Sequence, residues 1–355
     1  MDFTHAVART LIPQLPPQTP PRAVPGARPT AAVGVGPTAA VGQGAALTGS
    51  LKPVFQLNAL PQPLDPTTFA GAMSPSNPGG SLVPLAAFRD LVDAVPAMSR
   101  FYSPGPMSTE TAWGNYINGA SVKAGAGFAT QALSAAQQNF TTYALAGLTP
   151  AATSWRPVYS TPENWWDLTR QTFTPVVVDP NATGGPNGAY ATIGADNQAQ
   201  TLQWRDPGSG KTAPLASGTT LKAIRFNAFE VVLRRPWLDA SLFGMASIYL
   251  GGEPSGFYSS GQLNNNDGVM PLLSTSFYLA TDVQIDADWS APDLKRLQQA
   301  QANNTPLALG AFALAARLGA RTAGLTLKGD TVSSPLPQIV AWVSALTPLC
   351  PAAGG

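Results

Sequence analysis

The chain has 355 residues, of which 11% are charged, and its formal net charge is +1. Soluble domains usually carry about 25% charged residues, so we expect a surface made largely of neutral polar groups. Binding to nucleic acid needs many Lys and Arg contacts to phosphates, and this composition argues against such a partner. Weak charge also leaves little repulsion between copies, which favours self-association.

Histidine and cysteine, the residues most often used in nucleophilic catalysis and zinc binding, occur once each, as His5 and Cys350. One His cannot serve a Ser-His-Asp or Cys-His mechanism unless a scaffold holds it beside a nucleophile. One His and one Cys also do not make a zinc ligand set. The sequence therefore predicts a protein that is not an enzyme and has no metal site and no cofactor, with Cys350 as an inert thiol.

The first residues lack a basic region followed by an apolar run, so no secretory signal is predicted. The longest apolar stretch, residues 307–316, is about half of what a spanning helix needs. We therefore expect a cytoplasmic protein, with export by a non-classical route left open.

Proline, alanine and glycine crowd the chain from Ile12 to about Asn77. Such residues supply little apolar area, so residues 1–80 are predicted to form a disordered arm. The alternative is an arm that orders against a neighbouring subunit. The apolar residues of Val54-Phe55-Gln56-Leu57 would then serve as its anchors.

Residues 81–150 are predicted to form a helical layer, because apolar residues recur there at helical spacing. Pro84 suits the first turn of the first helix, and Pro96 would end it. The apolar positions of the three predicted helices are Leu85, Phe88, Leu91, Val92 and Val95; Trp113, Tyr116, Ile117 and Ala120; and Phe128, Ala132, Ala136, Phe140 and Tyr143.

Residues 151–355 show short apolar runs between turn residues, which predicts a β-rich domain. In residues 221–233 the apolar side chains shift from even-numbered to odd-numbered positions, which predicts a bulge near Asn227 or Ala228. Residues 277–286 alternate, which predicts one core face with Phe277 and one mostly wet face with Tyr278. A helix is expected to start at Ser290. The run 338–343 has apolar residues at both odd-numbered and even-numbered positions, as expected for a central strand covered on both faces.

These elements predict an α+β fold in which a helical N-terminal layer precedes a mainly antiparallel β-sheet or β-sandwich. Residues 81–355 are expected to form one folded unit.

Two polar motifs resemble known sites but fit turns better. Gly208-Ser209-Gly210-Lys211-Thr212 is similar to the end of a phosphate-binding loop, but Arg205 stands where that motif needs glycine, so a hairpin turn is favoured. Residues 264–268 do not match a calcium loop and indicate a tight turn.

Four acids, Asp282, Asp286, Asp288 and Asp293, form the densest acidic cluster. Asp282 and Asp286 share the wet face of one strand, where we expect them to be solvated, with a catalytic or metal-binding role for the cluster as the alternative.

Tryptophan and arginine supply the candidate binding residues, because both are enriched at protein interfaces. Pro236 should end a strand and leave Trp237 and Leu238 at the rim of the sheet; the alternative is that these aromatic side chains belong to the core. The predicted interface residues are Arg234, Arg235, Trp237, Leu238, Trp165 and Trp166.

These observations predict a non-enzymatic structural protein that assembles with itself or binds another protein. Two alternatives stay open. A membrane-acting, pore-forming protein is suggested by the Ala-, Gly- and Leu-rich segment 307–327, which suits either a helix or an amphipathic hairpin. A carbohydrate-binding protein is suggested by Trp and Tyr near loops rich in Asn and Asp.

Overall fold

The computed structural model describes residues 3–12, 53–145, 154–181, 190–193, 202–319 and 321–352. Within these residues the fold is α+β, as predicted, with a largely antiparallel body and five α-helices. Ser81 and Ser108 cap the second and third helices by accepting backbone N–H groups at the helix starts. The helices are α1 (Phe3–Leu11), α2 (Leu82–Val92), α3 (Thr109–Gly119), α4 (Gly127–Thr142) and α5 (Ala291–Asn303).

A central sheet of nine described strands forms the middle of the protein. The last strand in sequence lies between the first strand and a long strand that starts at Leu272, so the prediction of a central strand at 338–343 is confirmed. The members are β1 (Val54–Pro63), β3 (Phe101–Tyr102), β6 (Tyr159–Thr161), β7 (Thr174–Val178), β10 (Thr220–Arg234), β12 (Leu272–Asp288), β16 (Thr326–Lys328), β17 (Thr331–Ser334) and β18 (Gln338–Leu346).

Strands β10 and β12 pair along most of their length, and the predicted irregularity near Asn227 is present. Arg225 lies opposite Gln284 and Asn227 opposite Thr281, so the extra residue belongs to β12. Asp282 occupies the left-handed region there, with φ of 53°. This bulge reverses which side chains of β12 point to each face.

The prediction of one core face and one wet face for β12 is wrong in the first half of the strand. Tyr278 and Ala280 are buried, like Phe277 and Leu279 on the opposite face. The reason is that this half of the sheet is covered on both sides. Beyond Asp282 the predicted alternation holds, because the even-numbered side chains there reach solvent.

A second, five-stranded sheet packs on one face of the central sheet. The phosphate-loop-like motif forms the turn between its first two strands, as predicted, with Asp206 N–H donating to Lys211 O. The segment 307–327, which the sequence left open between helix and hairpin, contributes its other three strands. The strands are β8 (Gln203–Arg205), β9 (Thr212–Pro214), β13 (Leu307–Leu309), β14 (Phe312–Leu318) and β15 (Arg321–Ala323).

Two apolar cores result, one on each face of the central sheet. The strand-side core lies between the two sheets and includes Phe226 and Phe312, whose ring centroids are 5.6 Å apart. The helix-side core lies under α2, α3 and α4 and includes Trp113 and Trp342. Two short pairs flank these helices, β2 (Ala94–Pro96) with β4 (Pro104–Ser108), and β5 (Ala120–Val122) with β11 (Ile248–Leu250).

The N-terminal region differs from the uniform disordered arm predicted for residues 1–80. Residues 3–11 form α1, and Val54–Pro63 forms β1, which pairs with β18 inside the central sheet. The apolar anchors Phe55 and Leu57 explain this difference, because they bury in the strand-side core of their own chain. Residues 1–2 and 13–52 of the predicted arm lie outside the described residues.

Asp293, a member of the acidic cluster, joins three segments at the start of α5. It is 2% exposed. Its carboxylate accepts hydrogen bonds from Trp204 Nε1 at 2.7 Å, from Ala216 N at 2.9 Å and from Thr219 Oγ1 at 2.7 Å. Asp293 is therefore a structural residue that ties the second sheet to α5.

Replacing Asp293 with Ala should lower the free energy of unfolding by about 3 kcal/mol, because one buried and two partly buried donors lose their acceptor. Urea denaturation measures this loss. Asp288→Ala is the matched control, since Asp288 and its partner Lys222 are both exposed, and its loss should stay under about 1 kcal/mol. Equal losses for the two variants would contradict the structural role of Asp293.

Candidate functional site

The six predicted interface residues divide into four buried and two accessible side chains. Trp165, Trp237, Leu238 and Arg235 are at most 7% exposed, whereas Arg234 is exposed and Trp166 is half-buried. Trp237 and Leu238 therefore do not lie at an exposed sheet rim as predicted. After Pro236 the chain turns inward, and Trp237 Nε1 donates to Pro157 O while Trp237 O accepts from Trp113 Nε1.

Pairing of β6 with β10 brings the two predicted segments together at one end of the central sheet. Arg234 lies opposite Tyr159 in this pairing. Its Nε donates to Thr161 Oγ1 at 2.6 Å. The chain leaves β6 into the Trp165-Trp166 turn, where the Trp165 ring packs 5.0 Å from Phe69 and 5.4 Å from Phe88.

A pocket opens to solvent at this end, and we call it the rim pocket. It encloses about 20 Å³, room for about one water-sized group, and it opens to solvent. Its aromatic lining consists of Phe69, Phe88, Trp165 and Trp166, and its polar lining includes Ser74, Tyr159 and Glu163.

Glu163 is held in place at the rim pocket by the loop before α2. Its Oε2 accepts hydrogen bonds from Ser74 Oγ, from Ser76 Oγ and from Ser76 N. Partial burial acts to raise the pKa of Glu163, but these hydrogen bonds and the charge of Arg234 outweigh it, and the pKa is lowered. The carboxylate is therefore ionised and fixed at neutral pH.

A buried ion pair lies between α2 and the sheet, next to the same strand end. Arg235 Nη1 donates to Ser274 O at 2.7 Å and Nη2 to Val92 O at 2.8 Å. Arg235 Nε is 3.8 Å from Asp93 Oδ1, and Asp93 Oδ2 accepts from Glu110 N at 3.3 Å. The pair therefore connects the end of α2 and the start of α3 to β10 and β12.

The rest of the predicted acidic cluster is dispersed among separate partners. Asp286 pairs with Arg225, Asp288 pairs with Lys222, and Asp282 accepts from Asn227 Nδ2. Among the residues that the structure describes, no group of three or more His, Cys, Asp or Glu side chains is placed to hold a metal ion.

Aromatic faces that a sugar would stack on are scarce. All eight tryptophans lie in the described ranges, and six of them are buried; Trp166 and Trp289 are half-buried.

Cys350 is fully buried, and burial raises the pKa of its thiol to about 11, as expected for an unreactive cysteine. Segment 307–327 supplies Leu309 and Phe312 to the strand-side core.

Three comparisons bear on identity. The chain matches no model of a known protein family, no curated protein and no solved structure. Across the described residues, none of the helices has the length and apolar character needed to cross a membrane.

Sequence reasoning missed Glu163, Ser74 and Ser76 as parts of a site. Ser74 and Ser76 fall in the segment predicted to be disordered, and Glu163 is 87 or more residues away along the chain. A signal was present in Ser74-Pro75-Ser76-Asn77, a composition typical of an ordered turn with side-chain hydrogen bonds.

The ion pair behind the pocket gives a pH dependence of known sign. Burial raises the pKa of Asp93 from 3.8 to about 6, against the attraction of Arg235. The folded state then binds more protons than the unfolded state between about pH 4 and 6, so this group lowers stability as the pH rises through that window. The full effect is about 3 kcal/mol.

Asp93→Asn removes this titration. Relative to the wild type, the variant should therefore gain up to about 3 kcal/mol of unfolding free energy between pH 4 and pH 7. Urea denaturation of both proteins across this range measures the difference. A variant that loses stability relative to the wild type as the pH rises would show that attraction to Arg235 exceeds the cost of burial.

Proposed function

We propose that this chain is a non-enzymatic structural protein that acts by binding other proteins, and that the rim pocket receives a segment of its partner. The observation that carries the proposal is the fixed, ionised Glu163 beside an aromatic pocket and the exposed Arg234. A cytoplasmic site of action is part of the proposal and rests on the sequence.

The size of the pocket supports a side chain as the occupant. Sites for cofactors and drug-sized ligands usually enclose about 300–1,000 Å³. The rim pocket opens to solvent and encloses only about 20 Å³, far below this range. It therefore suits the tip of one partner side chain, and aromatic residues beside a pocket are typical of the residues that dominate binding energy at protein interfaces.

The charges at the pocket mouth support a partner of defined chemistry. Glu163 is already ordered by Ser74 and Ser76, so binding requires little further loss of side-chain freedom. Arg234 presents a guanidinium beside it, held by Thr161. A matching segment offers an apolar side chain with a basic residue for Glu163 and an acidic residue for Arg234.

A phage-displayed library of random peptides, selected on the full-length chain, tests this proposal. Enriched peptides should carry an apolar residue flanked by a basic and an acidic one. Glu163→Gln and Arg234→Gln should each weaken the binding of a selected peptide about tenfold, the effect of losing one partly exposed charged contact.

Two substitutions serve as matched controls. Asp267→Asn and Arg170→Gln remove the same charges at exposed positions outside the pocket lining, and they should leave peptide binding unchanged. Selected peptides that bind Glu163→Gln and Arg234→Gln as tightly as the wild type would sink the proposal.

Carbohydrate binding is the second candidate at the same place, because the half-buried Trp166 and Glu163 line the same pocket. A glycan array separates the two. Peptide binding without glycan binding supports a protein partner, whereas glycan binding that Trp166→Ala abolishes would replace the protein partner with a sugar.

A further inference from the structure

Helix α1 packs on the central sheet between strands that are not neighbours. It contacts both β7 and β1, which are separated in the sheet by β10, β12 and β18. Its buried residues are Thr4, Ala6, Val7, Ala8, Leu11 and Ile12, and the apolar ones belong to the strand-side core. The helix therefore contacts two strands that are far apart in the order of the sheet.

The surface that α1 covers is apolar, and we call it the α1 groove. It includes Phe55 of β1, Val176 and Val178 of β7, and Tyr190, all in the same core as the helix. Arg9 of α1 lies close enough to Tyr190 to affect its pKa, which burial raises to about 12. A groove of this kind takes an amphipathic helix through its apolar face.

The connection between α1 and the rest of the protein is long. Forty residues, 13–52, separate Ile12 from Pro53. Forty residues reach about 130 Å when fully extended, whereas a chain of this size has a radius of gyration of roughly 20 Å. The contacts of α1 in the groove are thus compatible with a helix from the same chain or from a neighbour.

We propose that α1 is an exchangeable helix, and that the α1 groove accepts the α1 of a second copy of this chain. Docking within one chain and docking between two copies make the same side-chain contacts. The balance is therefore set by the concentration of neighbouring copies against the effective concentration that the connection provides. Exchange becomes the main form where copies are held close together. This inference concerns a different surface from the rim pocket and does not depend on it.

Photo-cross-linking with isotope labelling tests the proposal on the full chain. One sample carries the photoreactive amino acid p-benzoylphenylalanine in place of Arg9, and it is mixed with wild-type chain labelled with heavy isotopes. Cross-links from position 9 to the peptide that contains Tyr190 are then sorted by mass. With the heavy chain in large excess, a light peptide reports docking within one chain, and a heavy peptide reports docking between copies.

We expect heavy product that rises in proportion to total concentration while exchange is the minor form, about tenfold for tenfold more chain. Leu11→Asp in the photoreactive chain should reduce light and heavy products together by at least about tenfold, because it places a charge in the groove.

The photoreactive group at Ser134 is the control for chance collisions, since this residue is exposed on α4; it should give no cross-link to the Tyr190 peptide. Only light product at every concentration would overturn the proposal, and so would heavy product that is insensitive to Leu11→Asp. Neither result bears on peptide binding at the rim pocket.

Discussion

Burial of both faces of the central sheet is the constraint on which the rest of this structure depends. Strands β12 and β18 place apolar side chains in two cores, one below the helices and one below the second sheet. Because both faces need cover, the helices, the second sheet and α1 each have a fixed surface to pack on. The bulge at Asp282 ends this double burial and lets the far half of β12 present charged residues to water.

The same constraint explains the structural roles of three buried charged residues. Arg235 and Asp93 lie where α2 and α3 meet the sheet, and the backbone carbonyls of Val92 and Ser274 use the guanidinium as their donor. Asp293 performs the corresponding task between the second sheet and α5. Accessible polar groups with a fixed geometry occur instead at the sheet end, where Glu163 and Arg234 face solvent beside the rim pocket.

The sequence predicted which helices and strands form better than it predicted which of their side chains are buried. Local spacing predicted the helices at Leu85 and Trp113, the start at Ser290 and the central strand at 338–343. It was wrong in detail, because Val95 and Ala120 lie in the strands β2 and β5, and Phe128 at the start of α4 is 77% exposed. The sequence did not predict that the face of β12 with Tyr278 is buried, because the segments that cover this face are distant in sequence. Trp237 was expected at a rim because nothing local indicates that α3 and α4 close over it. The rim pocket is non-local for the same reason, as its loop and its carboxylate meet only in the folded chain.

The proposed function requires that the protein associate with other proteins, copies of itself included. Light scattering on the full-length chain over a wide range of concentration tests this most directly. We expect a mass equal to one chain in dilute solution that rises toward two chains or more as concentration increases. A mass of one chain at every concentration, together with no peptide selected at the rim pocket, would contradict it.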